Sequence, residues 1–124
     1  MSKRILVVED EPDIREAIAE AMADAGFTVR TAENGQVGLQ TALEYFPDLI
    51  LLDIKMPIMN GQEMLEKLRL DPWGKDVKVV MLTAMDDPRS IVTAHAGNIS
   101  DYIIKAHHSL DEILNKVRSS LYAG

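Results

Sequence analysis

Four uninterrupted apolar runs divide the chain: Ile5-Leu6-Val7-Val8, Leu49-Ile50-Leu51-Leu52, Val79-Val80-Met81-Leu82 and Tyr102-Ile103-Ile104. A strand with one wet face alternates polar and apolar residues, whereas a strand covered on both faces reads as a continuous apolar run. These runs therefore predict interior strands of a parallel sheet. Thr28-Val29-Arg30-Thr31 alternates instead and predicts an edge strand, which brings the number of strands to five.

Amphipathic stretches of helical period separate the strands. Pro12 opens the first, striped by Ile14, Ile18, Ala21 and Met22 and stopped by Gly26. Asn34 caps the second, with Val37, Leu39, Leu43 and Phe46 as its stripe and Pro47 as its end. Met64, Leu65 and Leu68 stripe a third that ends near Asp71-Pro72, and Ile91, Val92 and Ala94 to Ala96 a fourth. Ser109-Leu110-Asp111-Glu112 is a capping box that opens a fifth, striped by Leu110, Ile113, Leu114, Val117 and Leu121. Strand–helix alternation of this kind implies an α/β fold, a five-stranded parallel sheet doubly wound by five helices. The common flavodoxin-like strand order is 2-1-3-4-5. With 124 residues and no linker or low-complexity segment, residues 1–124 are expected to form one domain.

Composition excludes several function classes. Thirteen basic against 20 acidic side chains give a net charge of −7, which disfavours direct binding to nucleic acid. No cysteine is present, so disulfides, thiol catalysis and thiolate metal sites are absent. The segment Pro47–Leu52, interrupted by Asp48, is far short of the about 20 residues that span a membrane. The apolar run after Lys3-Arg4 meets Glu9-Asp10-Glu11 too soon to be a signal peptide, so a cytoplasmic location without membrane contact is expected.

Ligands of such sheets bind beyond the carboxyl ends of the strands. At those ends stand Glu9-Asp10-Glu11, Asp53, Thr83 and Lys105. Singly, each reads as a loop acid, a turn hydroxyl or a surface ammonium. Together they bring carboxylates to one edge, where mutual repulsion calls for a cation. Carboxylate and carbonyl oxygens suit the hard ion Mg²⁺, and Mg²⁺, Lys and a hydroxyl are the groups that stabilise a phosphoryl group.

The ordered set Ile5-Leu6-Val7-Val8-Glu9-Asp10-Glu11-Pro12, Asp48 to Pro57, Asn60-Gly61, Thr83-Ala84 and Asp101 to Lys105 resembles the receiver domains of two-component response regulators, the CheY-like group. The resemblance runs from Ile5 to about Leu121. It implies that Asp53 accepts a phosphoryl group from a histidine kinase or phosphotransfer protein. It implies that Asp10 ligates Mg²⁺ directly together with Asp53, Glu9 acts through water, and the backbone carbonyl of Lys55 contributes. Lys105 and Thr83 would bind the phosphoryl oxygens, and Tyr102 would follow Thr83 as the second switch residue. The readout surface would be the face of the fourth helix, fifth strand and fifth helix, offered to a downstream protein or to a second copy of the chain. Such a domain is a signalling switch that transfers and slowly loses its own phosphoryl group, and it does not turn over a separate substrate.

The sequence departs from the family pattern where Ala106 stands in place of the usual proline after Lys105, and where His107-His108 follow. A non-proline cis bond costs about 2.5–4 kcal/mol, so the Lys105–Ala106 bond is expected to be trans or strained. Asn98 follows Gly97 where the family often carries a glycine turn, and by the resemblance Lys55 and Met85 would occupy positions that tune phosphoryl lifetime. His95 has no partner in sequence for a metal site. Trp73, between Pro72 and Gly74, reads as a surface turn aromatic, and Met22, Met64 and Met81 as core.

Rival readings fit less well. A phosphatase resembling the haloacid dehalogenase group wants an aspartate two residues after Asp53, where Lys55 stands. A flavin carrier wants a phosphate loop after the first strand, where Glu9-Asp10-Glu11 would repel the phosphate. A degenerate receiver that docks constitutively would not need Asp10, Asp53, Thr83 and Lys105 together.

Overall fold

The structure, a computed structural model, describes residues 2–83, 99–105 and 109–122. Five parallel strands form one sheet: β1 (Arg4–Val8), β2 (Thr28–Ala32), β3 (Leu49–Asp53), β4 (Lys78–Thr83) and β5 (Asp101–Ile104). Their spatial order is β2-β1-β3-β4-β5. The helices are α1 (Pro12–Asp24), α2 (Gly35–Tyr45), α3 (Gly61–Leu70) and a C-terminal helix, Leu110–Tyr122. The helix expected over Ile91–Ala96 lies outside the described residues, as do Met85, His95, Gly97, Asn98, Ala106, His107 and His108.

Continuous apolar strands bury both faces, and alternate residues feed two separate cores. Leu6, Val8, Ile50, Leu52, Val79 and Met81 pack under α2 and α3 with Ala42, Met64 and Leu68. Ile5, Val7, Leu49, Leu51, Val80, Leu82 and Ile103 pack under α1 and the C-terminal helix with Ile18, Met22, Ile113 and Val117. The two edge strands are the open ones: β2 is buried only at Ala32 and β5 only at Ile103, so the apolar run of β5, expected in the interior, lies at an edge.

The second helix keeps half of its expected stripe: Leu39 and Leu43 pack against the core, Val37 and Phe46 are exposed, and the fully buried positions are Gly35, Gly38, Ala42 and Tyr45. The helix lies too close for large side chains: a Cβ on Gly38 would sit 2.9 Å from both Met64 Sδ and Val8 Cγ1. Phe46 closes the helix in the left-handed region, at φ 54°, and its ring meets the half-buried Trp73 edge-on at 5.2 Å. Asn60 is the N-cap of α3, with Glu63 completing a reciprocal capping box.

The C-terminal helix carries no basic residue in its last turn. Lys78, at the start of β4, supplies the cation from outside and donates to the carbonyls of Ser120 (2.7 Å) and Leu121 (3.1 Å). Those carbonyls have no partner within the helix and carry the negative end of its dipole. Lys78→Met is expected to lower stability by about 1 kcal/mol, read by denaturant melts, and to speed amide exchange at residues 117–121 above that of the strands. An unchanged exchange pattern would contradict the capping role.

Candidate functional site

The chain runs from β1 out to β2, then back across to β3, so the switch in strand order lies between β1 and β3. Val8 pairs with Leu52, the residue before Asp53, and Asp53 pairs with Leu82, the residue before Thr83. This register levels the ends of three strands. Glu9 and Asp53 are almost fully buried there, and Asp10 is half-buried. One carboxylate oxygen from each of the three lies within 4.8 Å of the others.

Lys105 reaches in from just beyond β5. Its Nζ donates to Glu9 Oε1 at 2.9 Å and lies 2.7 Å from Oε2 and 3.3 Å from Asp53 Oδ2. Glu9 Oε2 is buried and receives no well-formed hydrogen bond, the ammonium contact being an ion pair alone. Three carboxylates thus face one ammonium, with a buried carboxylate oxygen left over. An all-oxygen set with that charge imbalance fits a hard divalent cation such as Mg²⁺.

The remaining residues named from the sequence lie at different distances from this cluster. Thr83 is buried at the end of β4. Tyr102 pairs with Met81 and packs with it in the α2–α3 core, so it shares a sheet face with Thr83 two positions on. Lys55 lies in the loop after β3 with its side chain exposed. Tyr102 and the Lys55 side chain therefore stand outside the carboxylate cluster.

Two features of the site carried no signal that we read in the sequence. Gly61, whose N–H donates to the Ile54 carbonyl at 2.9 Å, lies so close to β3 that a Cβ there would overlap the Asp53 carbonyl oxygen. Arg15 of α1 donates from Nη1 to the backbone carbonyl of Glu9 at 2.9 Å and to that of Asp10 at 3.5 Å.

Comparison with known proteins decides the family. The model of the response regulator receiver domain matches residues 5–118. The chain belongs to that family. It is 35% identical over 121 residues to the DNA-binding response regulator MtrA of Mycolicibacterium smegmatis, covering 98% of this chain and 51% of the relative. It is 32% identical over 118 residues to the DNA-binding dual master transcriptional regulator RpaA of Synechocystis, covering 95% of this chain and 48% of the relative. The chain thus spans about half the length of these relatives. Among solved structures, the chemotaxis protein CheY4 of Vibrio cholerae superposes with a TM-score of 0.92 at 26% identity, covering 98% of this chain and all of that one. The response regulator TrrA of Thermotoga maritima, solved in complex with Mg²⁺-BeF, has a TM-score of 0.84 at 39% identity, covering 96% of this chain and 99% of that one.

In this receiver domain the cluster holds its charge at a cost. Burial and the neighbouring Glu9 carboxylate raise Asp53 from the ordinary 3.8 to about 7, with Lys105 pulling the other way. Burial disfavours the Lys105 ammonium, but its hydrogen bond to Glu9 and the charges of Asp53 and Glu9 outweigh that and hold it above its usual range. Between pH 3.8 and about 7 the folded protein keeps a proton on Asp53 that the unfolded chain has released. Stability from this group therefore falls as pH rises through that window, and the penalty is complete above it.

Asp53→Asn is expected to raise the melting temperature of the metal-free protein at pH 8 by about 4 °C or more, the equivalent of roughly 1 kcal/mol at this chain size. The gain should shrink at pH 5, where Asp53 is already neutral. Equal gains at the two pH values would show that the carboxylate is not under strain.

Proposed function

We propose that residues 1–124 form one receiver domain in which Asp53 accepts a phosphoryl group from a histidine kinase or a phosphotransfer protein. The observation that carries this reading is the Asp53 carboxylate, buried at the topological switch with Glu9 and Asp10 beside it and the Lys105 ammonium 3.3 Å away. In the transfer, an Asp53 carboxylate oxygen attacks the phosphorus of a phosphohistidine. The oxygen–phosphorus bond forms as the nitrogen–phosphorus bond breaks, leaving an acyl phosphate on Asp53, and the departing imidazole takes up a proton from solvent.

A carboxylate meets an anionic phosphoryl group against strong repulsion, which only fixed positive charge offsets. Lys105 supplies one such charge from this chain. Glu9, Asp10, Asp53 and the Lys55 backbone carbonyl would hold Mg²⁺, which when bound neutralises phosphoryl oxygens. Burial excludes water from the Asp53 carboxylate and keeps the ammonium from being screened. Removal of the phosphoryl group by water returns the domain to its starting state, so its role is that of a switch and not of an enzyme with a separate substrate.

The added charge would act through Thr83, whose hydroxyl binds the phosphoryl oxygens, and through Tyr102 on the same sheet face. β5 and the C-terminal helix, with the segment before β5, would then present the changed surface to a downstream protein or to a second copy of the chain. This reading includes no direct contact with nucleic acid, in keeping with a net charge of −7, and places the protein in the cytoplasm. No helix among the described residues is long and apolar enough to cross a membrane.

Incubation with Mg²⁺ and acetyl phosphate, read by intact mass, is expected to add one phosphoryl group to the parent and none to Asp53→Asn. Lys105→Met is expected to slow the gain by about 100-fold, the usual cost of one charge-stabilising donor. A parent that gains no phosphoryl group from acetyl phosphate or from any of a panel of histidine kinases would overturn the proposal and leave a constitutive docking domain.

A further inference from the structure

The three carboxylates of the cluster are not held alike. Asp53 is the last residue of β3, fixed by its pairing with Leu82. Glu9 is anchored by its N–H, which donates to the Ala32 carbonyl at 3.0 Å, and by its carboxylate, tied to Lys105 and accepting from the Glu11 N–H at 3.4 Å. Asp10 lies past the end of the β1 ladder, and among the described residues no group holds its carboxylate by a hydrogen bond or ion pair. It is also the least buried of the three.

The direction of the Asp10 side chain therefore depends on the peptide planes on either side of it. One side chain reaches both, bonding the first well and the second weakly, while the N–H of the second plane also donates to Glu9 Oε1 at 3.4 Å. Arg15, half-buried on the first turns of α1, donates from the same Nη1 to the Glu9 carbonyl at 2.9 Å and to the Asp10 carbonyl at 3.5 Å. The Arg15 N–H is itself fixed in the helix by the Glu11 carbonyl at 2.9 Å, so the guanidinium reaches back from a rigid base. We infer that Arg15 is the positioning residue that aims Asp10 into the carboxylate cluster, so that the affinity of the site for Mg²⁺ depends on an arginine that never touches the ion. This inference rests on the proposed reading of the cluster as a Mg²⁺ site.

Two effects of removing Arg15 have opposite signs, which makes the inference testable. On charge alone, taking a cation away from three carboxylates tightens binding of a divalent ion. Loss of the backbone grip frees Asp10 and weakens binding, and groups that orient metal ligands typically cost 10–100-fold in affinity when removed.

The experiment is calorimetric titration of the whole chain with Mg²⁺, for the parent, Arg15→Met and Arg15→Lys, with a denaturant melt of each. Arg15→Met is expected to bind about 10-fold more weakly. Arg15→Lys, which keeps the charge and one donor group, is expected to fall between it and the parent. Affinity in Arg15→Met equal to or tighter than that of the parent would overturn the inference, and so would an unchanged affinity in Arg15→Lys if the Met variant does not fold. A parent that binds Mg²⁺ and gains a phosphoryl group while both variants bind as tightly refutes the positioning role alone. A parent that binds no Mg²⁺ refutes the reading of the site and this inference with it.

Discussion

Everything at the carboxyl edge of the sheet is arranged around the repulsion between two buried carboxylates, Glu9 and Asp53. Neither is placed there by local preference. Each follows a strand whose apolar run is buried on both faces, and the levelled strand ends deliver them to the same spot. Burial removes the water that would screen them, so the Lys105 ammonium becomes the group that holds the arrangement together. One ammonium divides between two carboxylates, 2.7 Å from the nearer oxygen of Glu9 and 3.3 Å from Asp53. The strain left over appears in the raised affinity of Asp53 for a proton.

The cores under the sheet make that strain tolerable. Two apolar layers, one on each face, hold β1, β3 and β4 with almost no exposed side-chain surface, and repulsion at their ends cannot splay them. The loop after β3 is tied down as firmly. The Gly35 N–H donates to the Met59 carbonyl at 2.8 Å, and a Cβ on either Gly35 or Gly61 would overlap backbone oxygens of this segment. Tight backbone approach at both glycines keeps the segment that follows Asp53 in one conformation.

Much of this was legible in the sequence, because the signals involved are periodic or local. Continuous apolar runs gave away the interior strands β1, β3 and β4 and the alternating run one edge, while the apolar run Tyr102–Ile104 proved to be the other edge, only partly covered, and Asn34 and Ser109 marked the caps whose hydrogen bonds the structure contains. The stripe of α2 was half right: Leu39 and Leu43 pack on the core, but close helix–sheet contact gives the fully buried face to Gly38 and Ala42 and leaves Val37 and Phe46 outside. The capping box of Asn60 and Glu63 was hidden behind an Asn-Gly pair that reads as a turn. At the site, the strand-end residues could be placed from the pattern alone, since topology brings strand ends together. The grip of Arg15 could not, because it depends on a side chain folding back onto the backbone six residues earlier.

The unequal anchoring of the cluster bears on how such a site can be both rigid and responsive. The Asp53 backbone is fixed by strand pairing and that of Glu9 by its N–H bond to the Ala32 carbonyl, so the sheet sets where the two side chains start. Any response must therefore pass through the groups attached by side chains: the Lys105 ammonium, Asp10 on its Arg15-held loop, and Thr83 at the neighbouring strand end. Under the proposed function, a phosphoryl group on Asp53 adds negative charge next to the Lys105 ammonium. The ammonium already contacts both carboxylates, with a difference of 0.6 Å between 2.7 and 3.3 Å, so a small shift exchanges its stronger partner. On that reading, a stiff sheet with charged side chains at its edge would convert one covalent event into a discrete change of contacts. Had the carboxylates been free to move apart, the same event would have dissipated as local relaxation.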